Sequence, residues 1–424
     1  MKRNNKAFSI NEMPHVKEQI LQWIQPFGVC SFLDNHQYQL PHHSVDCLAA
    51  AGALQVIRGA NTAAAIDAFY KEEQDWLFGH FSYEYNTLQN LRTQPKHPAG
   101  FSDAFFFRPD HILHLSNQEL IIESYSKDPE LIFSEISNIA IKEGMQHSIH
   151  CAPRTSREAY LQTIQDLLKH IQDGDCYEIN FCQEFFAENI ELDPAAVYRQ
   201  LTRLSPNPFA CYYKENNAHL LCASPERWLK KEGSQVWSQP IKGTLKRDLN
   251  NLNTDNQLRE QLSNSLKDKS ENVMVVDLVR NDLSRVCKAG SVSVSELFGI
   301  YSFPQVHQMI STITGELLPE NGMNEIIQAS FPMGSMTGAP KKKVMELIRQ
   351  YEPIERGIFS GAVGYIKPNQ DFDFNVVIRS ILYNNANKYL SYLVGSGITI
   401  YSDPEQEYQE CLLKAKAIEK VLGY

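Results

Sequence analysis

Tyr177-Glu178-Ile179-Asn180-Phe181-Cys182-Gln183-Glu184-Phe185-Phe186 alternates polar and apolar side chains, the two-residue period of a strand with one face buried. The segment before it has the other period. Tyr160, Ile164, Leu167, Leu168 and Ile171 recur at helical spacing, and Gly174 is placed to end that helix. Ala152-Pro153-Arg154-Thr155-Ser156 reads as the end of a linker, with Ser156 as the helix cap. Working outward, further strands are expected at 219–224, 235–239, 359–366, 374–382 and 390–400, and helices at 255–269, 323–330, 341–350 and 405–422. These interleave without the strict repeat of a barrel. They predict a large α/β (α+β) body with extended, mostly antiparallel sheets.

The polar stretch from Glu143 to His150, next to that linker, marks a domain boundary: residues 1–148 form a mixed α and β domain and 149–424 a second one. The apolar runs Trp76-Leu77-Phe78 and Ala104-Phe105-Phe106-Phe107 are the strand candidates of the first. With 424 residues, 43% hydrophobic and 21% charged, the composition is that of a globular chain with room for a sizeable core. A formal net charge of −10 argues against nucleic acid or an anionic membrane as the main partner. The basic start, Met1 to Lys6, is not followed by an apolar signal region, and no run of about 18 apolar residues occurs. Nine scattered cysteines without a Cys-x-x-Cys pair fit reduced, buried thiols. A cytoplasmic location is therefore expected.

The last predicted helix carries chemistry on one edge. Tyr408, Cys411, Leu412, Ala415, Ile418 and Leu422 form its apolar stripe, with Glu407, Glu410 and Lys414 within about 60° of one another beside it. The plain alternative is a solvated face with a Glu410–Lys414 pair worth a few tenths of a kcal/mol. A second acidic pair, Asp268 and Glu271, has the same spacing before the apolar run Val273 to Val276. Magnesium suits two such pairs, because it takes one or two carboxylates together with waters and substrate oxygens. Gly334-Ser335-Met336-Thr337-Gly338-Ala339-Pro340-Lys341 superficially suggests a phosphate loop, but Ala339-Pro340 breaks the Gly-Lys ending and removes an N–H. Gly395-Ser396-Gly397 fits a close backbone approach better than a dinucleotide site. Lys242, in a predicted turn beside Gly243 and Thr244, is a solvated charge by default; if buried, desolvation would lower its proton affinity and make it a nucleophile.

Taken together and in order, several motifs resemble one family. They are Ser224-Pro225-Glu226, Pro240-Ile241-Lys242-Gly243-Thr244, Glu271 to Asp282, Gly334 to Lys341, Gly361-Ala362-Val363-Gly364-Tyr365, Ile378-Arg379, and Gly395-Ser396-Gly397 followed by Glu407-Tyr408-Gln409-Glu410. The family is that of the chorismate-utilising enzymes, which includes anthranilate synthase component I, aminodeoxychorismate synthase component I, and the isochorismate and salicylate synthases. The resemblance runs from about residue 150 to the C-terminus and implies a two-lobed, anthranilate synthase component I-like fold with helices outside the sheets. It implies Glu271 and Glu410 as direct Mg²⁺ ligands, with Asp268 and Glu407 acting through water. Arg379 and Lys414 correspond to cations for the substrate carboxylates. Thr244, Ser335 or Thr337, and the backbone around Gly395 and Gly397 correspond to the pocket lining, and Glu226 to the general acid for the C4 hydroxyl.

Within the family Lys242 is the discriminator. Relatives that make anthranilate, isochorismate or salicylate have Ala there, whereas the aminodeoxychorismate synthase branch has Pro-Ile-Lys-Gly-Thr, as here. In that branch the Lys is thought to attack C2 of chorismate and ammonia to add at C4. The resemblance thus implies an amino-group transferase acting on chorismate and ammonia, the ammonia coming from a separate glutamine amidotransferase in a heterodimer, since no Gly-x-Cys-x-Gly elbow is present. An anthranilate or other chorismate-utilising synthase, and a catalytically silent chorismate-binding protein, are the competing readings. Three departures stand out. Glu178 replaces the Gln of most ammonia-using relatives and the Lys of water-adding ones, Gln308 stands where a His is usual, and Phe32-Leu33-Asp34-Asn35 lacks the Leu-Leu-Glu-Ser linked to tryptophan feedback.

Overall fold

Ser156 leaves the chain extended and its hydroxyl accepts from Ala159 N, which starts the helix Arg157–Gln172; Gly174, at φ +83°, reverses the chain beyond it. The strand Glu178–Ala187 follows and pairs antiparallel with Tyr389–Thr399, from Glu178 opposite Thr399 to Ala187 opposite Leu390. The structure, a computed structural model, describes residues 3–38, 42, 44–86, 94–116, 118–141 and 148–423. Residues 142–147 of the expected linker lie outside the described residues.

The strand is buried on both faces rather than one. Ile179, Phe181 and Phe185 join the core that includes Tyr160, Ile164 and Leu167 from the preceding helix. Each such Phe contributes roughly 1.5–3 kcal/mol relative to an exposed one. On the other face Glu178, Asn180 and Glu184 are equally buried. Alternation reports which residues share a face, not whether the polar face meets water.

Among the described residues twenty strands are linked into one extended sheet, and the pairings between them are antiparallel. Strands on either side of the expected boundary pair with each other: Val29–Asp34 with Phe209–Glu215, and Leu77–Phe81 with Ala362–Ile366. Helices pack outside, giving the large mixed α/β body expected. The nine cysteines are free and buried. Among the described residues no helix is long and apolar enough to cross a membrane.

Three local expectations are corrected. The helix expected at 255–269 is two helices, Leu252–Asn264 and Leu266–Ser284. Ser265 adopts extended backbone between them, ends the first and accepts from Asp268 N to cap the second. The strand expected at 374–382 divides into Phe372–Val376 and Ser380–Asn384, because Arg379 turns to φ +50°. Lys242 lies not in a turn but in the strand Ile241–Lys246.

Candidate active site

That strand is bulged at Lys242. Against Val306–Glu316 its register moves from Ile241 opposite Ile310 to Thr244 opposite Gln308, three steps on one strand for two on the other, and Gly243 takes φ +89°. The extra residue re-aims the Lys242 side chain, whose Nζ donates to Glu178 Oε1 at 2.7 Å. Both side chains are inside, 12% and 5% exposed. Gly397 makes room for the pair: a β-carbon there would stand 2.8 Å from Glu178 Oε1 and 3.2 Å from Lys242 Nζ. Gly395 likewise has a Cβ position 2.6 Å from Cys182 Sγ. The close-approach reading of Gly395-Ser396-Gly397 is the one the structure bears out.

The expected depression of Lys242 is reversed. Burial pulls its proton affinity down, but the carboxylates of Glu178, Glu271 and Glu226 outweigh it and hold the pKa up at about 12. At neutral pH the resting group is an ammonium, not a nucleophile. Glu226 shows the opposite balance. Burial raises its carboxyl to about 7 against the hydrogen bond from Ser335 and the charges of Lys242 and Arg379. A carboxyl that keeps a substantial protonated fraction near neutrality can donate to a leaving oxygen.

Arg379 lies beside Glu226 and Tyr38, and burial lowers its pKa. Lys414 Nζ donates to Gly395 O at 2.7 Å and pairs with Glu410 at 2.8 Å. The ordinary helix-edge pair is therefore real and also reaches the glycine segment. Ser335 is buried and bonds Glu226, whereas the Thr337 hydroxyl donates back to Met333 O at 3.0 Å within its own turn. Thr244 is exposed on the bulged strand.

One member of each acidic pair, Glu271 and Glu410, comes within reach of the shared cations Lys242 and Lys267. Burial raises Glu271, Lys242 opposes it, and Glu178 and Asp268 push it further up; Glu410 is lowered because Lys414, Lys267 and Lys242 outweigh its burial. Asp268 packs on the bulge, its carboxyl carbon 3.0 Å from where a Gly243 β-carbon would lie. Glu407 is buried and its Oε2 has no hydrogen-bond partner among the described residues. Carboxylate oxygens with one orphan among them fit a hard divalent cation in donor chemistry. Among the described residues no three such groups already converge closely enough to hold an ion.

Two features of the surroundings escaped the sequence. Arg356 is buried with Glu352, donating to both of its oxygens at 2.9 and 2.5 Å, to Met336 O at 2.7 Å and to Asn180 O at 2.7 Å. It thereby ties the Ser335 turn to the Glu178 strand; the four-residue spacing of Glu352 and Arg356 was the available signal. Tyr38, charge-coupled to Arg379, comes from the N-terminal part and had no signal. His307 bonds Ser302 and Asp255, which accounts for its absence from the site, and Gln308 is buried, its Oε1 without a partner among the described residues.

Residues 21–420 match the family described as chorismate binding enzyme. Aminodeoxychorismate synthase component 1 of Bacillus subtilis (strain 168) is 30% identical over 373 residues, covering 83% of this chain and 78% of the relative. That of Escherichia coli (strain K12) is 38% identical over 267 residues, covering 63% of this chain and 58% of the relative. In the chloroplastic relatives of Oryza sativa and Arabidopsis thaliana the match spans 30% and 37% of their length. The chain thus spans less than two thirds of several curated relatives. Anthranilate synthase component I from Streptococcus pneumoniae shares the fold, with a TM-score of 0.75 at 22% identity over 90% of this chain and 94% of that one.

Proposed function

The chain belongs to the chorismate binding enzymes, and from that premise we propose that it is the chorismate-aminating component of an aminodeoxychorismate synthase, converting chorismate and ammonia to 4-amino-4-deoxychorismate for 4-aminobenzoate and folate synthesis. The observation that carries the reading is Lys242, buried among Glu178, Glu226 and Glu271 where the other branches have Ala. The relatives of that name support it.

In this reading Lys242 Nζ attacks C2, the ring double bonds shift, and the C4–O bond breaks as Glu226 gives its proton to the departing hydroxyl. Ammonia then adds at C4, the double bonds shift back and Nζ leaves C2. Arg379 and Lys414 hold the two substrate carboxylates. Ser335, Thr337, Thr244 and the backbone at Gly395 and Gly397 line the pocket. Glu271 and Glu410 would bind Mg²⁺ directly and Asp268 and Glu407 through water; the ion would neutralise substrate carboxylate charge. A separate glutamine amidotransferase supplies the ammonia, and the enzyme works in the cytoplasm.

Incubation with chorismate, Mg²⁺ and ammonium, followed by mass analysis, tests the proposal. The expected product is 4-amino-4-deoxychorismate. Anthranilate and pyruvate as sole products would overturn it in favour of an anthranilate synthase, and calorimetric chorismate binding without turnover in favour of a silent binding protein.

A further inference from the structure

Lys242 presents a problem that the proposed reaction leaves open. Its Nζ must be a neutral amine to attack carbon, yet it rests in an ion pair with the Glu178 carboxylate at 2.7 Å. The acidic groups that face it come from every neighbouring element: Glu178 on the strand Glu178–Ala187, Glu226 after the strand Ala218–Ser224, Glu271 on the helix Leu266–Ser284 and Glu410 on the helix Pro404–Leu422. Of these Glu178 alone has a hydrogen bond to Nζ among the described residues, and it is the group inside proton-transfer distance at 2.7 Å. Glu226 must arrive protonated to serve as acid, and Glu271 and Glu410 are the residues read as metal ligands. Glu178 has neither duty. Its backbone is held by antiparallel pairing on both sides, with Thr399 and with Ala339, and room for its carboxylate depends on the missing side chain of Gly397.

We propose that Glu178 is the catalytic proton acceptor for Lys242, taking one proton from Nζ before attack and returning it when Nζ leaves. The proposal rests on the reading of Lys242 as the nucleophile. The steps balance. Glu178 carboxylate and Lys242 ammonium become carboxylic acid and amine. The amine lone pair forms the Nζ–C2 bond, giving a secondary ammonium, while the C4–O pair leaves as water with the Glu226 proton. Ammonia forms the C4–N bond and gives one proton to Glu226. The Nζ–C2 pair returns to Nζ as a neutral amine, which takes its proton back from Glu178. The sum is chorismate plus ammonia to 4-amino-4-deoxychorismate plus water. The substitution of Glu for Gln in this chain thereby places a base where most ammonia-using relatives have an uncharged amide.

The test is the rate at which chorismate and Mg²⁺, without ammonia, form the Lys242 adduct, followed by intact-protein mass spectrometry as a function of pH. Omitting ammonia removes its own titration. Glu178→Gln keeps the size and an acceptor oxygen for Nζ, so a structural role would survive it. The variant is expected to form adduct about 10²-fold or more slowly near neutrality. The ratio of wild-type to variant rate is expected to shrink about tenfold per pH unit toward alkali, as bulk base replaces Glu178; titration of Glu226 is common to both and cancels. A variant within about threefold of wild type at every pH overturns the proposal while leaving the nucleophile intact. So does a wild-type rate that climbs tenfold per unit below neutrality, an outcome that needs no variant. An adduct that persists in Lys242→Ala instead removes the nucleophile reading, and this proposal with it.

Discussion

Gly243 and Asp268 are packed so closely that a β-carbon on residue 243 would stand 3.0 Å from the carboxyl carbon of Asp268. The helix Leu266–Ser284 therefore rests on the bulge that aims Lys242, and the glycine is required twice, for the contact and for φ +89°. Gly243→Ala is expected to destabilise by about 1–3 kcal/mol and to reduce turnover at least tenfold through displacement of Lys242. Urea denaturation alongside steady-state rates checks it; unchanged turnover would show that the bulge does not position the lysine.

Lys242→Ala leaves the Glu178 carboxylate buried without its cation and should cost stability, and the folded variant should form no covalent adduct with chorismate. Intact-protein mass spectrometry is the measurement. Amination at the wild-type rate would show that nucleophilic catalysis by this residue is not used.

Glu226, raised to about 7 by burial, must be protonated to act. Turnover at fixed free ammonia is expected to be level below that value and to fall about tenfold per pH unit above it. Stability has the same sign. Glu226 and Glu84, the latter raised to about 8 by burial and by Glu355, bind protons more tightly folded than unfolded. Their contribution is whole below the unfolded carboxyl range and is lost as pH rises through about 7 and about 8. Melting curves of Glu226→Gln should show a shallower decline over that window than wild type.

Arg356→Ala leaves Glu352 buried without its cation and frees the carbonyls of Met336 and Asn180. A loss of about 3–5 kcal/mol is expected, and Arg356→Met with Glu352→Leu should recover much of it, since both charges then go together. Denaturant titration of the three proteins decides this. Equal losses in the single and double variants would show that the tie between the two segments matters more than the ion pair.

Mg²⁺ at 100 times its dissociation constant should stabilise the fold by about 2.7 kcal/mol. Glu271→Gln with Glu410→Gln should abolish the effect, read as a melting shift that does not depend on turnover. A shift that survives both substitutions would place the ion elsewhere.

Much of the architecture was legible because it is written in short-range periods. The helix Arg157–Gln172 with its serine cap, the strand Gln235–Gln239 and the helix Met323–Ser330 each follow from spacing and capping alone. The failures occur where one residue leaves the regular conformation. Ser265 divides a continuous helical pattern and Arg379 interrupts a continuous apolar one, and side-chain periodicity carries no record of a single backbone dihedral.

By itself the sequence determined the family and its ordered motifs and supplied the residues proposed as acid, nucleophile and metal ligands, because these are residue types at spacings along one chain. Only the tertiary structure decided the state of Lys242. Glu178, Glu226, Glu271 and Glu410 lie far apart in the sequence, and strand pairing and helix packing bring their carboxyl groups within electrostatic reach of one lysine. Burial alone would lower the proton affinity of a lysine; burial beside acidic groups raises it, and that sign depends on where the charges meet.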